Sequence, residues 1–273
     1  MELRIQVIGA DGEIRHARAG AGEVFLGWRG RYEEGDRLVV ECDAPVVRLV
    51  IQLDECLAPS HVLLRGGCFE FPVPFGSAKK SYGADSAFAG ERHLCRVRVE
   101  DAREASSWKN LALNSHDLTP GEGVLTGSAR DLPPVLFPHA STNAEPNNPQ
   151  FIARNAIDGV VATERHGSWP HGSWGVAGRD DAWLRVDFGG PVVADELRIY
   201  LRAEFPHDTC WRSADVELSD GSVLSLRLRK TGDRQAFDLG GSRIEWLRLT
   251  RLKKEADEGF PGLSQLEVWG RRV

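Results

Sequence analysis

Short runs of alternating apolar and polar residues recur along the first 118 positions: Leu3 to Val7, Arg37 to Glu41, Val46 to Leu53, His61 to Leu64, Phe69 to Val73 and His93 to Val99. A period of two puts every second side chain on one face, which is the pattern of a half-buried strand, and no helical period competes with it. Turn residues separate the runs at short intervals, so antiparallel sheets packed face to face are expected. From Leu118 to Pro138 the chain reads LTPGEGVLTGSARDLPPVLFP, where Gly and Pro gather and the alternation stops. This predicts a linker over 119–135 between a first unit, 1–118, and a second, 136–273. Alternation resumes at Trp183 to Phe188, Glu196 to Arg202, Ala214 to Leu218, Val223 to Leu228, Ile244 to Leu249 and Gln265 to Trp269, with Asp220-Gly221 as a hairpin signal. The fold class expected is all-β, two antiparallel β-sandwich (jelly-roll) domains. No internal repeat of solenoid or propeller length is present.

Composition narrows the partners. With 34 basic and 40 acidic residues in 273 the net charge is -6, shared evenly by the two halves, so no global field favours nucleic acid or an anionic membrane. No apolar stretch reaches the roughly 18 residues of a membrane span. Met1 to Ala10 alternates instead of running from a basic region into an apolar core. The five cysteines are odd in number and lack CxxC spacing, which suits reduced thiols and a cytoplasmic home.

In the second half, NAIDG (Asn155 to Gly159), a Trp-rich loop, WLRVDFGGPVVADELRIYLR (Trp183 to Arg202), VELSDGS (Val216 to Ser222) and QLEVWG (Gln265 to Gly270) follow one another. In that order they resemble the discoidin, or coagulation factor 5/8 type C, domain and the family 32 type of carbohydrate-binding module. The resemblance covers about half the chain. It implies a jelly roll with ligand loops at one end and, in many members, a structural calcium ion. Members bind sugars, phospholipid head groups or proteins, so the ligand has to be argued from residues.

By family position calcium would be held by Asp158 and Glu267, with the carbonyls of Asn155 and Leu266 and with Thr163 completing the oxygen shell. The plain alternative is an Asx turn at Asp158 and an exposed strand carboxylate at Glu267. The stretch His166 to Trp174, HGSWPHGSW, carries two Gly-Ser-Trp units, each preceded by histidine, and Pro170 with two glycines excludes a regular helix. Trp169 and Trp174 could stack on a pyranose while His166 and His171 bond its hydroxyls; alternatively the indoles plug the sandwich. A second loop, RAEFPHDTCW, carries Arg202, Glu204, His207, Asp208 and Trp211, of which Arg202, His207 and Asp208 suit vicinal hydroxyls unless the loop is merely ion-paired surface, and His139 is a further candidate. Carbohydrate or glycoside binding is therefore expected. A carbohydrate-active hydrolase or lyase using His207, Asp208 and His166 as acid and base is the competing class, and a protein interaction module a third. Zinc spacing, GxSxG, Walker and dinucleotide motifs are lacking. The segment SWKNLALNSHD has no assignment.

Overall fold

The computed structural model describes residues 1–82, 86–118, 135–144, 147–161, 172–203, 209–255 and 259–273. The first part of the chain forms β1 (Glu2–Ile8), β2 (Ile14–Ala21), β3 (Glu23–Arg29), β4 (Arg37–Cys42), β5 (Val46–Gln52), β6 (Ser60–Arg65), β7 (Cys68–Pro72), β8 (Arg92–Val99), the short helix α1 (Ala102–Ser106) and β9 (Lys109–Asn110). The rest forms β10 (Leu136–Phe137), β11 (His139–Thr142), β12 (Trp174–Gly175), β13 (Leu184–Arg202), β14 (Trp211–Leu218), β15 (Val223–Arg227), β16 (Gln235–Lys254) and β17 (Gly262–Arg272). All strand pairs are antiparallel, and the chain is all-β as its alternation requires.

The first unit is a sandwich of a sheet ordered β2-β1-β4-β7 and one ordered β10-β6-β5-β8-β3. Every second residue of the alternating runs points inward: Leu3, Ile5, Val7, Leu38 and Val40 meet Leu49, Ile51, Val62, Leu64 and Val97 in one core. Strand β2 lies at a sheet edge and is exposed along most of its length, so IRHARAGA has no apolar face and no alternation to read. Trp28 of β3 is stacked between His16 and His93 at centroid distances of 4.6 and 4.4 Å.

In the second unit, one continuous ladder wraps a single core from β12 through β17, β13, β16 and β14 to β15. The two runs expected at 183–188 and 196–202 are one 19-residue strand, β13, whose register against β16 shifts between Asp187 and Val192. Gly189 makes that possible: its φ is +74°, and a Cβ there would stand 2.6 Å from the Phe137 ring. Likewise the run 244–249 is the middle of the 20-residue β16.

The two units exchange strands across 119–134. Before that segment, β9 pairs with β17 of the second unit and Leu111 and Ala112 enter its core. After it, β10 pairs with β6 of the first unit and Leu136 enters the first core. No helix among the described residues is long and apolar enough to cross a membrane.

Candidate functional site

The seam between the units is built by the unassigned segment. Asn114, Ser115, His116 and Asp117 are all buried, because the chain passes there from one core to the other and its polar groups must find protein partners. Asp117 holds both sides together: Oδ1 lies 2.8 Å from His139 Nδ1 and Oδ2 accepts the Ala140 N–H at 2.8 Å. Its neighbour His116 accepts the Leu53 N–H on Nε2 at 3.0 Å, and burial with the Arg154 charge lowers the imidazole to about 3. Buried Arg154 donates from Nε to the Asp117 carbonyl (3.1 Å), from Nη1 to the Ser81 carbonyl (2.9 Å) and from Nη2 to the Ser115 carbonyl (2.7 Å), and lies over the Tyr82 ring at 4.1 Å. Sequence reasoning passed over Arg154. The one available signal is a charged residue between the apolar run Phe151-Ile152-Ala153 and NAIDG.

A cavity of ≈ 200 Å³ opens at this seam, lined by Tyr82, Ser115, Arg154, Asp158, Val160 and Gly172 among others. Asp158 takes the Val160 N–H on its carboxylate at 2.8 Å, closing an Asx turn around Gly159. Burial pushes its carboxyl up to about 7, with the Arg154 charge opposing.

The calcium residues are not assembled around one ion. Glu267 accepts the Trp269 indole N–H at 2.6 Å and lies 3.6 Å from Arg198, so its carboxylate is committed on the outer face of the sheet. The β17 residue that meets the Asp158 turn is instead Gln265, whose Oε1 accepts the Gly159 N–H at 3.2 Å. Asn155 and Leu266, expected to offer their carbonyls, are both buried, and Thr163 lies outside the described residues. Among the described residues no three His, Cys, Asp or Glu side chains gather as a metal site. A neutral amide at the turn and a carboxylate already bound to a guanidinium do not fit a calcium shell.

Of the ligand residues expected, four are described, and all are buried. Trp174 and Trp211 are at most 1% exposed and pack on each other at 5.8 Å, so for Trp174 the structure shows the alternative reading, an indole that plugs the sandwich, and Trp211 joins it in the core. His139 is buried and pairs with Asp117 in the seam. Arg202 is 4% exposed and its guanidinium lies over the Phe151 ring at 5.4 Å. His166, Trp169, His171, Glu204, His207 and Asp208 lie outside the described residues.

The residues flanking those two segments converge. Trp174 pairs with Leu263 and Arg202 with Gly262, at the start of β17. Gly262 is wedged between them: a Cβ there would stand 3.2 Å from Ser173 Oγ and 3.5 Å from Arg202 Cβ. Beyond the second segment, Thr209 packs on Gly259, where a Cβ would come within 3.0 Å. Ser173, Trp174 and Arg202 therefore meet at one end of the sandwich, where β17 begins.

Neither a protein-family model nor a curated protein matches this sequence. Among solved structures, the chain is similar to chitosan-binding module 1 of a chitosanase/glucanase from Paenibacillus sp. IK-5, at 19% identity and a TM-score of 0.38, over 59% of this chain and 99% of that one. It is also similar to the family 32 carbohydrate-binding module of C. perfringens NanJ in complex with galactose (18% identity, TM-score 0.37, 48% of this chain and 91% of that one). A third is a Streptococcus pneumoniae fucose-binding module, at 16% identity and a TM-score of 0.40, over 60% of this chain and 99% of that one. At such values the likeness assigns neither ligand nor site to this chain.

Proposed function

We propose that the protein binds carbohydrate through the end of the second sandwich from which 162–171 and 204–208 depart. The observation that carries this reading is the convergence of the two flanking pairs on Gly262, with Ser173 on one side and Arg202 on the other. Two sequence segments rich in sugar-binding chemistry adjoin these residues in the chain: Trp169 with His166 and His171 in one, Glu204, His207 and Asp208 in the other. An indole supplies an apolar face for the C–H side of a pyranose, while imidazole and carboxylate groups exchange hydrogen bonds with its hydroxyls. Trp174 and Trp211 support the same end from beneath as core.

Glycan-array screening followed by calorimetry with the best ligand tests the reading. Trp169→Ala is expected to weaken binding about tenfold, the size of a lost stacking contact, and to leave a cooperative melt. Trp174→Ala, a core truncation, is expected to lose about 3–5 kcal/mol of stability instead. Binding of every glycan unchanged in Trp169→Ala and in His207→Gln overturns the site. Turnover of a glycoside by the wild type, lost in His207→Gln at unchanged affinity, replaces binding by catalysis.

A further inference from the structure

Strand β3 closes the sheet ordered β10-β6-β5-β8-β3 and pairs on one side only, with β8. Its register runs without a shift from Glu23 opposite Arg98 to Arg29 opposite Arg92. The same register continues past both ends, where the Val99 N–H donates to the Gly22 carbonyl and the Gly30 N–H to the Glu91 carbonyl. Antiparallel bonding alternates, so the even residues of β3 bond β8 and the main-chain groups of Glu23, Phe25, Gly27 and Arg29 point to the open edge. Gly20 of β2 stands against the Glu23 carbonyl, while Phe25, Gly27 and Arg29 have no main-chain partner there among the described residues. Proteins commonly blunt such an edge with Pro, Lys or a bulge, and β3, EVFLGWR, has none of these. The same alternate residues share the outer face, since Val24 and Leu26 point into the core. Two features of that face have no explanation within one chain. Arg29 lies directly opposite Arg92 and neither has an ion pair among the described residues, a like-charge pairing that costs stability. Gly27 sits in mid-strand without a positive φ, and a Cβ there would meet nothing nearer than 3.9 Å, so neither backbone nor packing in this chain calls for a glycine, which weakens a strand. Phe25, two residues along, and Leu94, directly opposite Gly27, are 40% and 41% exposed.

We propose that β3 is a homodimer interface, in which two copies of the chain pair their β3 edges antiparallel about a two-fold axis at Leu26. That register sets Glu23 opposite Arg29 of the second copy and Phe25 opposite Gly27 of the second copy, and the two-fold repeats each pair. Both unexplained features then have a cause. Glu23 of the second copy neutralises Arg29 beside Arg92, and Phe25 of the second copy lies over Gly27 against Leu94, so the two exposed apolar side chains cover each other and a ring fills the space above the glycine. Phe25 and Gly27 exchange main-chain N–H and C=O groups with the residues opposite them, which is what their open-edge orientation allows. On the inner face Leu26 meets Leu26 and Val24 meets Trp28, which continues the core rows from one copy into the other. Sliding the pairing by two residues, the smallest step that keeps the open-edge groups bonded, sets Glu23 opposite Gly27 or Phe25 opposite Arg29 and loses the charge match.

Sedimentation equilibrium of the purified full chain over a concentration series tests this. The wild type is expected to dimerise with a Kd of about micromolar order, as suits an interface smaller than the roughly 800 Å² per partner of a standard complex. Arg29→Glu sets carboxylates opposite each other at both ends of the pairing and removes the clash with Arg92, so the Kd is expected to rise about tenfold while the monomer melts no earlier. Glu23→Arg is expected to weaken the dimer likewise, by opposing arginines. An equimolar mixture of the two variants restores opposite charges at both ends and is expected to dimerise as the wild type does. If either variant melts below the wild type, Phe25→Lys, a change at an exposed side chain on the open edge, decides in its place: loss of the dimer supports the interface and a retained dimer overturns it. A wild type that stays monomeric up to about 0.2 mM, a dimer unmoved by both charge variants, or a mixture no tighter than its components overturns it as well.

Discussion

Arg154 shows how much a single side chain can organise. Its guanidinium, from the second part of the chain, satisfies carbonyls of residues 81, 115 and 117 from the first, and a buried cation is tolerated only when its donors are taken up in this way. Two titrating groups share that environment with opposite effects. His116 has its imidazole lowered to about 3, so as pH falls from about 6.5 the unfolded chain gains a proton that the folded chain refuses, and stability drops. Asp158 has its carboxyl raised to about 7, so as pH rises from about 4 the unfolded chain loses a proton that the folded chain retains, and stability again drops. Between pH 4 and 6.5 the two slopes, each at most about 1.4 kcal/mol per pH unit, oppose one another. Asp158→Asn is therefore expected to make the protein more acid-sensitive across this window, and His116→Gln to make it less stable as pH rises through it. Denaturant melts at several pH values measure both; identical pH profiles in wild type and the two variants would refute the assignment. None of this was legible in the sequence, since a histidine and an aspartate reveal their burial only once the fold is closed. The tryptophans make the same point: Trp169 and Trp174 close identical Gly-Ser-Trp units, and only the closed fold, with Trp174 opposite Leu263 and fully buried, shows Trp174 to be core.

At the scale of elements, alternation did most of the work, because a strand with one face on the core must show it. All six runs read in the first unit are strands, with ends displaced by a residue or so. The failures are physical. Edge strand β2 buries neither face, and β13 and β16 continue through Gly-rich stretches where the pattern lapses but the ladder resumes after a register shift. Strand β17 carries a finer lesson. Residues 265 and 267 share a face, yet Gln265 turns its amide to the Asp158 loop while Glu267 is taken by Arg198 and Trp269. A family position thus pointed to the carboxylate, whereas the geometry selects the amide two residues earlier. Calcium is accordingly expected to leave the thermal melt unmoved between chelator and millimolar ion, since an ion that binds only the native state would raise it by mass action. A rise of several degrees with calcium, abolished in Asp158→Asn, would restore the site.

The whole molecule is tied together by what each unit lends the other. The composition of the segment around 119–134 carries no sign of which core its flanks join, and here they cross over. The second unit takes β9, Leu111 and Ala112 from before the segment, and Asp117 from there bonds His139 and Ala140. Cutting the chain at 135 leaves β17 without its β9 partner and opens the core at Leu111 and Ala112. It also strips Arg154 of the Ser81, Ser115 and Asp117 carbonyls, leaving a buried guanidinium short of acceptors. Loss of partners around a buried charge costs about 3–5 kcal/mol, and the missing apolar contacts add to it, against a total stability of about 5–15 kcal/mol for an ordinary domain. Residues 136–273 expressed alone are therefore expected to show no cooperative thermal or denaturant transition, whereas 107–273, which retains the exchanged segment and lacks only the Ser81 acceptor, regains one. The full chain is expected to melt in a single transition, because neither core closes without the other's residues. Calorimetry on the three proteins decides it: a sharp, reversible melt of 136–273 matching that of 107–273 would mean that the exchanged strand contributes nothing to holding the second sandwich together.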